Sequence, residues 1–377
     1  MALTNASDLA LFSSGFSTSF SLLDNLDVNG NVTADAFFGD GTGITNISAD
    51  NVLNPEGNVG VGSTARLITA PTYNVGIGST STGNPTVSTN TKFNNTTIGR
   101  FSGSCLKAGA NNVFIGAQSG RYTTTGNSNH FLGAFAGLEN ITGCYNTFFG
   151  SNAGQYNTSG CYSNFFGRNA GRNFVASNNV AIGNSALQGQ SGQSTGCGNI
   201  AIGMLAGCFT CTGNGNNFIG CCAGTKNTCG SYNNFFGTNA GYANTSGCDN
   251  NFLGIIAGFA NTSGSCNNFF GREAGVCNKV GNHNNFLGFC AGYFFNVSNN
   301  VAIGQCALRG VNGQSIGAYN IAFGERAGAG TTDGTHNFFA GRYAGLANTS
   351  GSGNVFIGQL AGRCNIAGID NLYIGKQ

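Results

Sequence analysis

The chain has no tryptophan, only three prolines, and charged side chains at 7% of its 377 residues. Each scarcity excludes something. No stretch approaches the roughly 18 apolar residues of a membrane-spanning helix. The opening "MALTNASDLALFSSGFSTSF" has no basic n-region and no unbroken apolar core, which makes it a poor secretory signal. The fifteen Lys and Arg all lie from Arg66 onward and are thinly spread, so no basic patch for nucleic acid is expected. His130, His283 and His336 are isolated, and the fifteen cysteines show no metal-type spacing, so no metal or other cofactor is expected. The cysteines read as free thiols of a reducing compartment. "GDGTG" at 39–43 lacks the Gly-Lys-Ser/Thr ending of a phosphate loop and reads as a turn.

What the chain has in excess is glycine (64), phenylalanine (31) and asparagine, with 40% hydrophobic residues overall. That is too much apolar character for a disordered Asn/Gly tract. A fixed period explains it. Taking as anchor the glycine that closes each Phe-Phe-Gly or Ala-Ile-Gly group, anchors run from Gly99 through Gly116, Gly133 and Gly150 to Gly375. Twelve of these sixteen intervals are 17 residues; the others are a 16 followed by a 20, around Gly183 and again around Gly304. Gly62 and Gly78 add two irregular coils, giving nineteen. The pattern predicts an all-β fold, a parallel β-solenoid of short strand, bend, short strand and turn. At about 4.8 Å per coil it would be roughly 90 Å long.

The columns carry the detail. Four residues before the anchor stands Asn in eighteen of nineteen coils, Ser163 being the exception. Stacked amides there (Asn95, Asn112, Asn146, Asn216, Asn233, Asn250, Asn267, Asn284) are expected to form an axial hydrogen-bond ladder. Ala and Gly follow three and four residues after most anchors, and another Gly falls ten after the anchor in every 17-residue interval. Directly before the anchor is a large apolar residue in every coil except at Ala340, and this column is read as pointing inward. Adjacent strand residues face opposite ways. The column two before the anchor (Phe114, Phe131, Phe148, Phe165, Phe218, Phe235, Phe252, Phe269, Phe286, Phe339, Phe356) is therefore expected to point outward, as the interface along which several chains pack about a common axis.

Four coils replace that Phe by Ala (anchors Gly183, Gly203, Gly304, Gly324) and flank the long intervals "LQGQSGQSTG" and "LRGVNGQSIG". These intervals are expected to protrude, which makes Gln190, Gln193, Arg309, Asn312 and Gln314 candidates for receptor contact. The matched offset of 121 residues between the two pairs of anchors also fits a duplicated seven-coil block. Arg100, Arg168, Arg272 and Arg342, each directly after an anchor, serve solubility or an anionic glycan. Acidic residues in the coils share no column on adjacent coils, so the paired carboxylates of a glycosidase are not expected, and neither is any other enzyme. A Thr column eight after the anchor (Thr124, Thr158, Thr228 and others) would suit an ice-binding solenoid but is broken by Lys107, Ile141 and Cys211. Cys144 and Cys161, one period apart, could stack on neighbouring coils and leave a disulfide open.

"NNVAIGNSAL" (178–187), "GNIAIGMLAG" (198–207) and "NNVAIGQCAL" (299–308) resemble the head repeats of trimeric autotransporter adhesins and related repeats of phage tail fibres. The similarity spans roughly 58–377. "LDVNGNVTADAFFGDGTGITNISADNV" (26–52) resembles a segment found just upstream of fibre shafts. The resemblance implies a left-handed, homotrimeric roll. It divides the chain into an attachment segment (1–25), a β-rich neck (26–57), irregular first coils (58–98) and a regular shaft (99–377). Seven acids and no base in residues 1–65 mark the leading part as electrostatically distinct. The export signal and membrane anchor of adhesins, and the terminal chaperone of many phage fibres, are not seen. The expectation is thus a virion appendage, such as a tail fibre, with other virion proteins as partners through the N-terminal segment and the last coil. A bacterial surface adhesin or extracellular filament is the alternative. A cell-surface glycan or protein would be its target.

Overall fold

Three residues before each anchor glycine form a strand, and the nineteen strands, β1 (Val59–Val61) to β19 (Leu372–Ile374), join in one parallel sheet. The computed structural model describes residues 59–61, 73–78, 94–190 and 194–376. The proposed attachment segment and neck lie outside the described residues. Every strand pairs in register with the one a coil away, for example Phe235 with Phe252 and Phe252 with Phe269. No helix occurs among the described residues; the chain is an all-β parallel solenoid with a 17-residue repeat.

Backbone bonds between coils continue beyond the strands. Gly137 N–H donates to Ala153 O and Glu139 N–H to Gln155 O on the turn side, both at 2.9 Å, while Gly133 N–H donates to Ile115 O at 2.8 Å on the sheet side. The ladder therefore runs round most of the coil, which is why proline is scarce where the coils are regular.

The interior reverses the inward and outward columns expected from the sequence. Phe114, Phe131, Phe148, Phe165, Phe218, Phe235, Phe252, Phe269, Phe286, Phe339 and Phe356 are all buried within their own chain, at 0% exposure. They form the core, not an intermolecular interface. Successive rings stack with centroids 4.7 Å apart for Phe131–Phe148 and Phe252–Phe269 and 4.8 Å for Phe235–Phe252, which is the strand spacing itself. Each buried ring contributes roughly 1.5–3 kcal/mol of hydrophobic stabilisation. The residue directly before the anchor points outward instead, leaving Phe149 52% and Phe166 38% exposed.

The physical reason lies across the coil. A Cβ at the glycine four after the anchor would come within 3.0 Å of the ring two before it, as at Gly241 against Phe235 or Gly258 against Phe252. Ring and glycine share one space, and the small Ala–Gly pair exists to admit the ring. In the four coils with Ala at the ring position, that space is refilled from elsewhere. Leu187 and Leu308 replace the glycine, and Phe174 and Phe295 enter seven residues after their anchors; all four are fully buried. The volume lost at Ala181, Ala201, Ala302 and Ala322 is restored inside the core, as dense packing requires.

The anchor glycines serve a different purpose. Their φ lies between 118° and 140°, a region closed to L side chains, and a Cβ on Gly220 would meet the Gly237 carbonyl of the next coil at 2.6 Å.

Candidate interaction surfaces

Three polar columns tie the coils together and are largely used up in doing so. In the column four before the anchor, Asn112 Oδ1 accepts from both the backbone N–H (2.9 Å) and the Nδ2 (3.1 Å) of Asn129. Asn129 Nδ2 also donates to Gly143 O at 2.8 Å. The same pattern holds Asn95 to Asn112 and runs from Asn216 through Asn233, Asn250 and Asn267. Asn146 and Asn284 keep the backbone link and donate their amides to carbonyls of the following coil. These side chains are buried, so unpaired amides there would cost about 1–3 kcal/mol each.

A second buried column stands seven after the anchor: Asn244 Nδ2 donates to Asn227 Oδ1, and Asn261 Nδ2 to Asn244 Oδ1, both at 2.7 Å. Phe174 and Phe295 interrupt it, and both amide atoms of Asn157, in the coil before Phe174, are left without a partner. In the third column, eleven after the anchor (ten in the 16-residue intervals), a short acceptor takes the backbone N–H of the preceding coil. Cys144 N–H donates to Cys161 Sγ (3.1 Å), Cys161 N–H to Ser177 Oγ (3.0 Å) and Ser265 N–H to Asn282 Oδ1 (2.7 Å). Ser, Asn and Cys interchange there because each offers an acceptor at similar reach. Sequence reasoning missed this column, although that interchange at a fixed offset was its signal. All fifteen cysteines are free thiols, Cys144 and Cys161 included.

The Thr column is also engaged. Thr245 Oγ1 donates to Thr262 O (3.0 Å) and Thr262 Oγ1 to Lys279 O (2.9 Å). Two of the arginines that follow anchors are paired with carboxylates, Arg272 with Glu273 and Arg342 with Glu325, each at 3.0 Å. Among the described residues no three His, Cys, Asp or Glu gather to hold a metal, and no helix is long and apolar enough to cross a membrane. His336 instead stacks on Tyr319 at 4.9 Å.

Two surfaces remain open. The first is the outward face of the sheet. Directly before the anchor, Phe149, Phe166, Ile182, Ile202, Ile219, Leu253, Phe270, Leu287, Ile303, Phe323 and Ile357 are each 36% exposed or more. Two residues earlier on the same face, Asn217, Asn234, Asn251, Asn268 and Asn285 bond amide to amide at 2.7–2.8 Å. Toward either end of this rail the position turns apolar, with Ile200 before it and Val301 and Ile321 after it. The sheet thus presents an apolar rail beside a mixed one, polar at Thr96, His130, Thr147 and Asn164 and again from Asn217 to Asn285, and apolar from Val301 to Val355.

The second open surface is at the long intervals. They are tethered more closely than their length implies: Gly189 N–H donates to Cys208 O (2.9 Å), Ser194 N–H to Asn173 O (2.8 Å) and Ile316 N–H to Thr332 O (2.7 Å). Gln190 is exposed, as are Arg309, Asn312 and Gln314; Gln193 lies outside the described residues. The second interval borders a groove of about 600 Å³, lined by Phe289, Cys290, Cys306, Arg309, Gly310, Val311, Arg326, Ala329, Gly330 and Leu346. Burial, with a hydrogen bond to Glu273 (3.1 Å), pushes the Cys290 thiol up to about 12, so it is neutral through the physiological range.

No family model matches this chain, and no curated protein matches it either.

Proposed function

We propose that this chain is the shaft of a fibre in a virion appendage, a phage tail fibre or a similar structure. It gives reach and host-surface attachment and assembles as a homotrimer. The observation that carries this reading is the outward apolar rail. Its eleven side chains are each 36% exposed or more, a continuous apolar row longer than the patches of a few hundred Å² that ordinary monomers leave in water. A row of apolar side chains repeated at one strand spacing over many coils needs a partner row of the same spacing. Another copy of this solenoid supplies one. Three copies about a common axis would cover every rail without leaving an open end to the assembly. The resemblance to trimeric fibre repeats supports the number three. The acidic N-terminal segment is assigned to docking on the particle.

Light scattering on the purified full chain over a range of concentrations tests the assembly. A constant mass near three times 38.4 kDa is expected, and a monomer would overturn the reading. Leu253→Asp combined with Phe270→Asp changes only outward positions, so it should give monomers with an unchanged circular dichroism spectrum. Mass spectrometry of purified virions from the producing host tests the location. Recovery from a cell envelope, and not from particles, would make the chain a surface adhesin.

A further inference from the structure

We infer that the groove beside the second long interval binds an acidic saccharide, a sugar bearing a carboxylate or sulfate, with Arg309 and Arg326 as its anion-recognising residues. The inference deepens the attachment reading above and rests on it. Coils anchored at Gly288, Gly304, Gly324 and Gly341 form the groove from residues that follow their anchors. Its volume of about 600 Å³ is that of a small-ligand site, and far more than a bare sulfate fills.

The charge arrangement points to an anion. No carboxylate lines the groove. The two nearby are already engaged: Glu273 takes Arg272 at 3.0 Å and the Cys290 thiol at 3.1 Å, and Glu325 takes Arg342 at 3.0 Å and Tyr343 Oη at 3.2 Å. Arg309 and Arg326 are exposed and, among the described residues, form no ion pair. Each lies over an aromatic ring, Arg309 over Phe294 at 5.7 Å and Arg326 over Tyr343 at 6.0 Å. Stacking uses the face of a guanidinium and leaves its in-plane N–H edges available, the geometry that takes carboxylate or sulfate in bidentate fashion.

The walls favour a ring-sized body behind that anion. Val311 (40% exposed), Leu346 and the part of Phe289 (42% exposed) not overlain by Arg272 at 5.8 Å offer apolar surface to the C–H face of a pyranose. The Cys290 thiol is buried and held protonated, so it adds no competing charge, and Cys306 is buried as well. Gly330 keeps the space open, standing where the equivalent position of the earlier block carries Phe209.

The test is calorimetric titration of the full chain with trigalacturonate, maltotriose and inorganic sulfate. Trigalacturonate should bind, maltotriose should not, and Arg309→Gln with Arg326→Gln should weaken binding by at least about tenfold, the equivalent of about 1.4 kcal/mol. Both arginines are exposed, so the double variant should keep the wild-type melting temperature and mass. Equal binding of maltotriose, unchanged binding by the double variant, or no binding of trigalacturonate overturns the assignment. So does sulfate binding as tightly as trigalacturonate, which would mean a simple anion site. Failure here with a trimer intact removes the groove alone. A monomer that still binds trigalacturonate removes the fibre reading alone.

Discussion

The two long intervals, 121 residues apart, share an interior and differ outside. Within the core, Phe174, Ala181, Leu187 and Ala201 in the first are matched by Phe295, Ala302, Leu308 and Ala322 in the second, all fully buried. On the turn side, Gln188, Leu205 and Phe209 become Arg309, Arg326 and Gly330. The inside is constrained by volume: a ring removed at one position must be replaced by a side chain that reaches the same space. The outside only has to keep the backbone ladder intact, so it can acquire charge and a groove. Function is therefore to be sought where the blocks diverge.

The largest effects should fall where the blocks agree. Phe174→Ala and Phe295→Ala should each cost about 3–5 kcal/mol, and Leu187→Ala and Leu308→Ala about 2–5 kcal/mol, with matching values between blocks in urea denaturation. A clear mismatch between paired variants would break the equivalence of the two cores.

A smaller difference is expected just before each intruding ring. Asn278 satisfies itself through Gly281, donating to its carbonyl (3.0 Å) and accepting its N–H (3.1 Å), whereas Asn157 at the same place has no partner for either amide atom. Asn278→Leu should therefore cost about 1–3 kcal/mol, and Asn157→Leu should be near neutral or stabilising. Equal losses in thermal melts would show that Asn157 is satisfied in solution, for example by water.

The smallest effects are chemical. Burial, and then the neighbouring Cys222, pushes the Cys208 thiol up to about 11, and Cys290 stands at about 12. Raised values favour the protonated form in the folded state. Both thiols should resist iodoacetamide at pH 8.5 while exposed Cys197, Cys229 and Cys364 are labelled. Their stabilising contribution is present below the ordinary thiol pKa of about 8.5 and is withdrawn as pH climbs from there toward 11 and 12. Peptide mapping reads the labelling, and early modification of Cys290 would contradict its packing.

Much of this was legible beforehand. The anchor spacing marks the coils, and the Asn column four before the anchor coincides with the amide bonds from Asn95 to Asn112 and from Asn216 to Asn267. What was misread is which apolar column faces in. Both the residue two before and the residue directly before the anchor are large and apolar, so alternation alone could not choose between them. The clue was present: where Phe gives way to Ala, at Ala181 and Ala302, the glycine six residues on gives way to Leu187 and Leu308. Positions that trade volume share a space. The candidate groove was less visible, because Arg309, Arg326 and Gly330 sit on different coils and only the stacking brings them together.

The period, the glycine columns and the amide ladder follow from the sequence by itself, because a solenoid sets each residue against its own column one coil away. Three choices needed tertiary structure: the inward Phe, the outward Ile, Leu and Phe rail, and the groove. Each depends on what lies across the coil. A strand of three residues has two faces and no internal preference between them. The Ala–Gly pair opposite decides, since that is the one side with room for a phenyl ring.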